Sequence, residues 1–472
     1  MTDPLWTFEA AVAAMQGEVA GAPPEGLTEV SIDSRTLAPG ALFVAIRGER
    51  LDGHDYVAAA FEAGAGAAVV ARDAALDGVA GPLIRVDDTL EALNALGRAA
   101  RGRTEATVIA VTGSVGKTGT KEGLRLALAP SGITHASDKS YNNHWGVPLS
   151  LSNMASGTQF GVFEAGMNSA GEITPLSRMI RPHVAIVTTV EAVHIEFFDS
   201  VEQIAEAKAE IFLGLEPDGT AILNKDNAYF DLLARRAREA GAGRILAFGV
   251  DPSADARLED IALGPEGSDV TARIDGATVR YRVGAAGRHL AMNSLAVLAA
   301  VQAAGGDLAA GAAALSAYAA PKGRGERLLI RLGDGTVNLI DESYNANPAS
   351  LRAALAAMAQ TPRAAFPRRV AVLGDMLELG ETGVEEHLAL ADPVDAAGID
   401  VVFACGPQMA SLYDALPEER RGAHAPSAAE LEAPLLAAVR AGDVVMVKGS
   451  LGSRMGPLVE ALKEHLSEQG SD

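Results

Sequence analysis

The chain of 472 residues carries 61 acidic against 39 basic side chains, a formal net charge of −22. That length fits about three domains of roughly 100–200 residues, and the acidity excludes a general nucleic-acid binder, which needs a basic face for the phosphate backbone. Cys405 is the only cysteine, which excludes an intrachain disulfide and a cysteine-built zinc cluster.

The first residues, MTDPLWTFEA, hold neither a basic n-region nor an apolar h-region, so no signal peptide is expected. No stretch of about 18 residues runs free of polar interruption, so no membrane insertion is expected; the expectation is a cytoplasmic protein. Short β-branched runs alternate with helical patterns, which predicts α/β architecture. Strands are predicted at 41–46, 67–72 and 83–86, then a helix over 88–102 and a strand at 107–111. Strands at 160–166, 183–190 and 220–226 continue the rhythm. The turn-rich alternation of 257–283 interrupts it and predicts a small β appendage. A long apolar helix at 289–304 follows, and strands at 337–341, 369–375, 401–406 and 444–450 make a third unit that begins near Pro321. The predicted division is 1–86, 87–320 and 321–472, with alanine and glycine abundant enough for close helix packing.

The strand at 107–111 runs straight into Thr112-Gly113-Ser114-Val115-Gly116-Lys117-Thr118 and then a helix. Phosphate loops of the form G-x-x-x-x-G-K-[ST] open on a glycine, and here Val111 stands in its place. The order that remains still predicts an anion site, because backbone N–H groups and the helix dipole point at the phosphates. Gly113 and Gly116 let the backbone approach, Lys117 is expected to reach the β/γ oxygens, and Thr118 to ligate Mg²⁺.

Glu164 lies at the end of the strand within 160–166. A carboxylate there, beside a phosphate loop, serves as a Mg²⁺ ligand; the alternative is a helix-capping or solvated glutamate. His194 reads in isolation as a packing residue. In VEQIAEAKAEIFLGL, the residues Val201, Ile204, Ile211 and Leu215 form an apolar stripe, and Lys208 occupies its missing position. A lysine there snorkels outward, pairs with a carboxylate, or loses its proton, since burial disfavours the charged form. On the residues alone snorkelling leads, while a neutral amine adds CO₂ to become a metal-positioning carbamate.

The motifs TGSVGKT, YNNHWGVPL (141–149), EAGMNSAGEI (164–173), VEAVHIEFF (190–198) and EAKAEIF (206–212) run through the centre of the chain. AMNSLA (291–296), KGRGERL (322–328), DESYNANP (341–348), LGDMLELG (373–380) and VKGS (447–450) follow. Together they resemble the Mur ligase family of peptidoglycan synthesis over almost the whole chain. That family's loop, T-G-x-x-G-K-[TS], accounts for the missing glycine. The resemblance implies three domains: an N-terminal UDP-substrate domain, a central P-loop-type ATPase with a mostly parallel sheet, and a C-terminal Rossmann-like domain.

It also implies ATP and two Mg²⁺ as cofactors, with Lys117, Glu164, His194 and a carbamylated Lys208 as catalytic residues. Thr118, Glu164, His194 and Lys208 would hold metal. Asn293 would contact the adenine, Arg324 the phosphates and Asp341 the ribose. Ser34 and Arg35 would lie toward the uridine and Asn142 and Asn143 near the muramoyl-peptide, with Tyr344, Asn345, Asn347 and Lys448 also on substrate. Within the family, SYNANP, LGDMLELG and KGS look like the member that adds D-alanyl-D-alanine to UDP-N-acetylmuramoyl-tripeptide, expected as a monomer. The sister that adds diaminopimelate or lysine carries a D-N-P-R-type signature that is absent here. Leu451 departs from the polar or basic residue expected after KGS. An inactive nucleotide-binding scaffold and a switch GTPase are the competing readings. Intact Lys117, Thr118, Glu164, His194, Lys208 and Asp341 weigh against the first, and the lack of an N-K-x-D motif (NKDN at 224–227 is a near miss) against the second.

Overall fold

The computed structural model describes residues 4–469 apart from 49, 77, 138 and 334. Beside a two-stranded pair near the N-terminus, three sheets organise the chain. The first is five-stranded, in the order Glu18–Ala20, Leu83–Val86, Ala67–Ala71, Leu42–Val44, Val30–Ser31, and parallel except for its first pair.

The central sheet has nine strands, and Thr107–Thr112 lies within it between Val184–Val187 and Phe160–Glu164, all parallel. Helices cover both faces, so these strands read as continuous apolar runs rather than alternating ones. The pleat still sorts them: Ile109 and Val111 join the core on one face, and Val108 and Ala110 the core on the other. Placing both loop-bearing strand ends in the middle of a parallel sheet gathers their C-terminal ends, where open α/β sheets bind ligands.

The predicted appendage at 257–283 is not separate. Ala256–Gly264 pairs in parallel with Arg244–Gly249, and Gly267–Ile274 and Ala277–Val283 add antiparallel strands to the same sheet. The reason is burial: Leu258, Val270, Ala272, Ile274 and Tyr281 share one core with Leu295 and Leu298 of the helix Arg288–Ala303. Alternating sequence therefore marks a one-sided extension of the sheet.

The third sheet runs Glu326–Leu332, Gly335–Glu342, Asp443–Lys448, Arg368–Gly374, Val401–Cys405, Arg421–Ala425, parallel except for its first hairpin. The helix Thr89–Gly102 is the strut between the first two sheets. Asp88 caps it by accepting from Leu90 and Glu91 N–H, and Leu93, Leu96 and Ala100 enter the N-terminal core. On its other side Arg101 donates to the Ile180 carbonyl at 2.8 Å. Among the described residues no helix is long and apolar enough to cross a membrane.

Candidate active site

The loop 113–116 is shaped by two left-handed glycines, Gly113 (φ +146°) and Gly116 (φ +87°). A Cβ on Gly113 would lie 1.9 Å from Thr188 Oγ1, and one on Gly116 would lie 2.6 Å from Asn293 Nδ2. Both positions exclude any side chain, by backbone conformation and by contact. Thr188 clasps the loop, its hydroxyl donating to the Val115 carbonyl at 2.5 Å with the Thr112 carbonyl at 3.3 Å. Ser114 N–H donates to the Thr189 carbonyl, and Ser114 Oγ accepts from Glu191 N–H at 2.9 Å. The helix Lys117–Leu128 starts at Gly116 with no side-chain cap, which leaves its first-turn amides without a side-chain acceptor, the arrangement that suits an anion.

Lys117 is half-buried, and its Nζ donates to the Gly113 carbonyl at 2.6 Å. Burial lowers its pKa to about 8; Glu164 opposes that shift and the Arg324 charge adds to it. Thr118 Oγ1 lies 3.1 Å from Ser140 Oγ and 3.3 Å from Glu164 Oε2. Glu164 is wholly buried, and Asn142 Nδ2 reaches the same Oε2 at 3.4 Å. Its Oε1 is buried without a partner among the described residues. A half-satisfied buried carboxylate is costly to leave so, and a cation beside Thr118 would complete it. Among the described residues no three His, Cys, Asp or Glu side chains gather for a metal. That donor set suits Mg²⁺, which keeps several waters and takes one or two carboxylates plus substrate phosphates.

Lys208 lies on the helix Val201–Ala209, which Ser200 caps by accepting from Gln203 N–H. Its side chain is 2% exposed, and among the described residues no hydrogen bond or ion pair reaches it. Snorkelling and pairing with a carboxylate are both removed as alternatives. Burial, and then the Lys117 charge, hold its pKa well below the ordinary lysine range, the direction that favours the neutral amine. His194 is placed differently from the other expected ligands. Its Nδ1 hydrogen-bonds Glu378 Oε2 of the third sheet's domain.

The remaining expected contacts divide into two groups. Arg324 crosses to the central domain, its Nη2 donating to Ser140 Oγ at 3.1 Å, while its guanidinium lies 4.0 Å from the centre of the Tyr344 ring. Asn293 packs on Gly116. Arg35 forms a bidentate pair with Asp33 at 2.8 and 2.7 Å, beside Ser34 on one turn, and this pair holds Asp33 down at about 2. The others are engaged within the fold. Asp341, 1% exposed, accepts from Gly323 N–H and from both Ser343 N–H and Oγ. Asn143 Oδ1 accepts from Gly146 N–H, and Asn347 forms a capping box with Ser350. Lys448 donates to Glu342 and to the Asn345 carbonyl, both at 3.0 Å. Leu451 is exposed.

Three residues of the site are given no role by the sequence: Ser140, which joins Thr118 to Arg324; Thr188; and Glu378, although it lies inside the LGDMLELG motif. For Thr188 the signal is position, since it follows a parallel strand whose end adjoins the loop.

Family profiles match most of the chain: a Mur ligase family, catalytic domain over residues 27–101, a Mur ligase middle domain over 111–301, and a Mur ligase, glutamate ligase domain over 323–451. UDP-N-acetylmuramoyl-tripeptide–D-alanyl-D-alanine ligase of Escherichia coli (strain K12) is 35% identical over 454 residues, 96% of this chain and 97% of that protein. The protein of the same description from Rickettsia prowazekii (strain Madrid E) is 32% identical over 432 residues, 92% of this chain and 94% of that one. Among solved structures, MurF from Acinetobacter baumannii is similar with a TM-score of 0.82 at 28% identity, covering 97% of this chain and 99% of that one. MurF from Thermotoga maritima in complex with ADP gives a TM-score of 0.74 at 26% identity, covering 93% and 98%. With the phosphate loop and its surroundings in place, the chain belongs to the Mur ligase family.

Proposed function

We propose that this protein is an ATP-dependent ligase that joins D-alanyl-D-alanine to the terminal carboxyl group of UDP-N-acetylmuramoyl-tripeptide, acting as a monomer in the cytoplasm. The observation that carries this reading is the junction at the mouth of the loop. There Lys117, Thr118 and the half-satisfied Glu164 connect through Ser140 to Arg324 and Tyr344. Relatives of that activity, similar along nearly their full length, support it. Residues 1–86 would hold the UDP end, 87–320 the nucleotide, and 321–472 would close over both.

A carboxylate and an amine do not condense unaided, because hydroxide is a poor leaving group. A carboxylate oxygen of the tripeptide attacks the γ-phosphorus, the bond to the β-phosphate oxygen breaks, and ADP leaves. The dipeptide amine then adds to the carbonyl carbon of the acyl phosphate, loses a proton, and phosphate departs with the bridging oxygen. The protein's part is positioning and charge balance. Loop amides hold the phosphates, the Lys117 ammonium lies over them, and Arg324, braced by Tyr344, adds a second positive charge. Thr118 and Glu164 would hold one Mg²⁺; Glu164, His194 and a Lys208 carbamate would hold a second. When bound, the metal neutralises charge between the two anions that must meet. Lys208 would reach the carbamate form by adding CO₂ to its neutral amine and releasing one proton.

A substrate panel tests the reading, with ADP formation measured for UDP-muramoyl-peptides against D-Ala-D-Ala, single amino acids and glutamate. Turnover is expected with the tripeptide and the dipeptide together. A preference for a single amino acid would move the assignment to the sister ligase, and nucleotide binding without turnover to a scaffold.

A further inference from the structure

Three consecutive residues at the end of one short helix are each clamped from outside it. The helix Gly146–Ser152 stands between the first two sheets and feeds both cores: Leu149 enters the N-terminal core, while Val147 and Leu151 enter the central one. At its end the Ser152 carbonyl accepts from Trp6 Nε1 at 2.8 Å. The Met154 carbonyl accepts from Arg103 Nη2 at 3.2 Å, and the same guanidinium lies 3.4 Å from the centre of the Trp6 ring. Between these two, Asn153 reaches Val30, accepting from its N–H at 2.9 Å and donating to its carbonyl at 2.8 Å.

Val30–Ser31 is the outermost strand of the five-stranded sheet, paired on one side with Leu42–Val44. An open edge leaves backbone groups to be satisfied, and the Asn153 carboxamide satisfies those of Val30 as a further strand does. A third bond, from Asn153 Nδ2 to the Leu149 carbonyl at 3.0 Å, ties the amide back to its own helix. The link leads to both ends of the expected substrate site. On one side Ser31 Oγ accepts from Asp33 N–H at 3.2 Å, and Asp33 holds Arg35. Asp33 also lies near enough to Lys139 of the central domain to feel its charge. On the other side Asn143 Oδ1 starts the helix by accepting from Gly146 N–H, and Asn142 reaches Glu164. A ligand that engages two subsites at once gains from the second only when the span between them matches its length.

We propose that Asn153 is a positioning residue for the nucleotide-sugar peptide: it pins the edge strand to the helix Gly146–Ser152 and so fixes the span between the Asp33–Arg35 turn and Glu164. This rests on the ligase reading and on Arg35 lying toward the uridine. A substrate one residue shorter, by roughly 3.3–3.6 Å of extended chain, then engages one end at a time, and the pinned span selects the tripeptide by length.

Calorimetric titration tests this with four probes: UDP, a non-hydrolysable ATP analogue, UDP-muramoyl-tripeptide and UDP-muramoyl-dipeptide. The wild type is compared with Asn153→Ala, which removes both bonds to Val30, and with Asn153→Asp, which keeps only the one from Val30 N–H. In Asn153→Ala the Kd for the tripeptide substrate should rise about tenfold, while UDP, the ATP analogue and the dipeptide substrate stay within about twofold. Asn153→Asp should fall between. In turnover, KM for the UDP-tripeptide should rise with KM for ATP unchanged. An unchanged tripeptide affinity in Asn153→Ala would overturn the proposal. Equal losses for all four probes would do the same, since they mark a general loosening of the fold. So would a wild type that binds the tripeptide substrate no more tightly than the dipeptide one. A wild type that prefers the tripeptide substrate yet forms no product with D-Ala-D-Ala would sink the ligase reading and leave the length selection standing.

Discussion

Lys117→Ala is expected to lower kcat by about 10²–10³-fold, the usual effect of removing one charged or hydrogen-bonding group aimed at developing charge in a water-poor site. Lys117 donates to the Gly113 carbonyl and is near enough to Glu164 to feel its charge. No other lysine or arginine in the loop 112–118 replaces it, and Arg324 approaches from the other domain. The same residue predicts a pH effect. Its pKa of about 8 means the ammonium is intact below that value and lost above it. Nucleotide affinity of the free protein should therefore hold steady up to neutrality and decline as pH rises through about 8. Calorimetric titration with an ATP analogue measures this, and Lys117→Arg should abolish the inflection because guanidinium stays charged.

Lys208→Met should separate activity from stability. Turnover is expected to fall about 100-fold or more, because the amine that would become a carbamate is gone. Stability near neutral pH should rise, because the unfolded lysine takes up a proton that its enclosed folded form disfavours, whereas methionine carries no such cost. In the wild type the folded-state pKa of Lys208 lies well below that of the unfolded chain, near 10.4. Between those two values the unfolded state binds more protons, so wild-type stability rises with pH across the window. The advantage of Lys208→Met should be largest below the folded-state pKa and vanish above about 10.4. Urea denaturation at several pH values in bicarbonate-free buffer, which keeps the amine free, measures the effect. A variant less stable than the wild type at pH 7 would show that Lys208 is held by partners rather than merely enclosed.

What could be read from the sequence was what local order encodes. The strand, two glycines, Lys117, Thr118 and helix fall in one stretch, and the apolar stripe around Lys208 is a periodicity within one helix. The alternation of 257–283 was visible too, but its destination was not, because the partners of those strands on the sheet and on the helix Arg288–Ala303 come from tertiary packing. The partners of Ser140 and Glu378 stayed hidden for the same reason: Arg324 and Ser140 are 184 residues apart, as are His194 and Glu378. Asn347 carries two signals at once. Asn-Pro-Ala-Ser is a helix-start signal as much as a substrate motif, and here the side chain caps the helix Pro348–Met358.

The central claim is that ATP makes the tripeptide carboxyl group attackable by phosphorylating it. Tripeptide substrate labelled with ¹⁸O in its terminal carboxylate tests this directly, with the released phosphate analysed by mass spectrometry after turnover with D-Ala-D-Ala. One ¹⁸O atom per phosphate is predicted, carried from the carboxylate through the bridging oxygen. Phosphate with no label, formed alongside normal peptide product, would contradict the account.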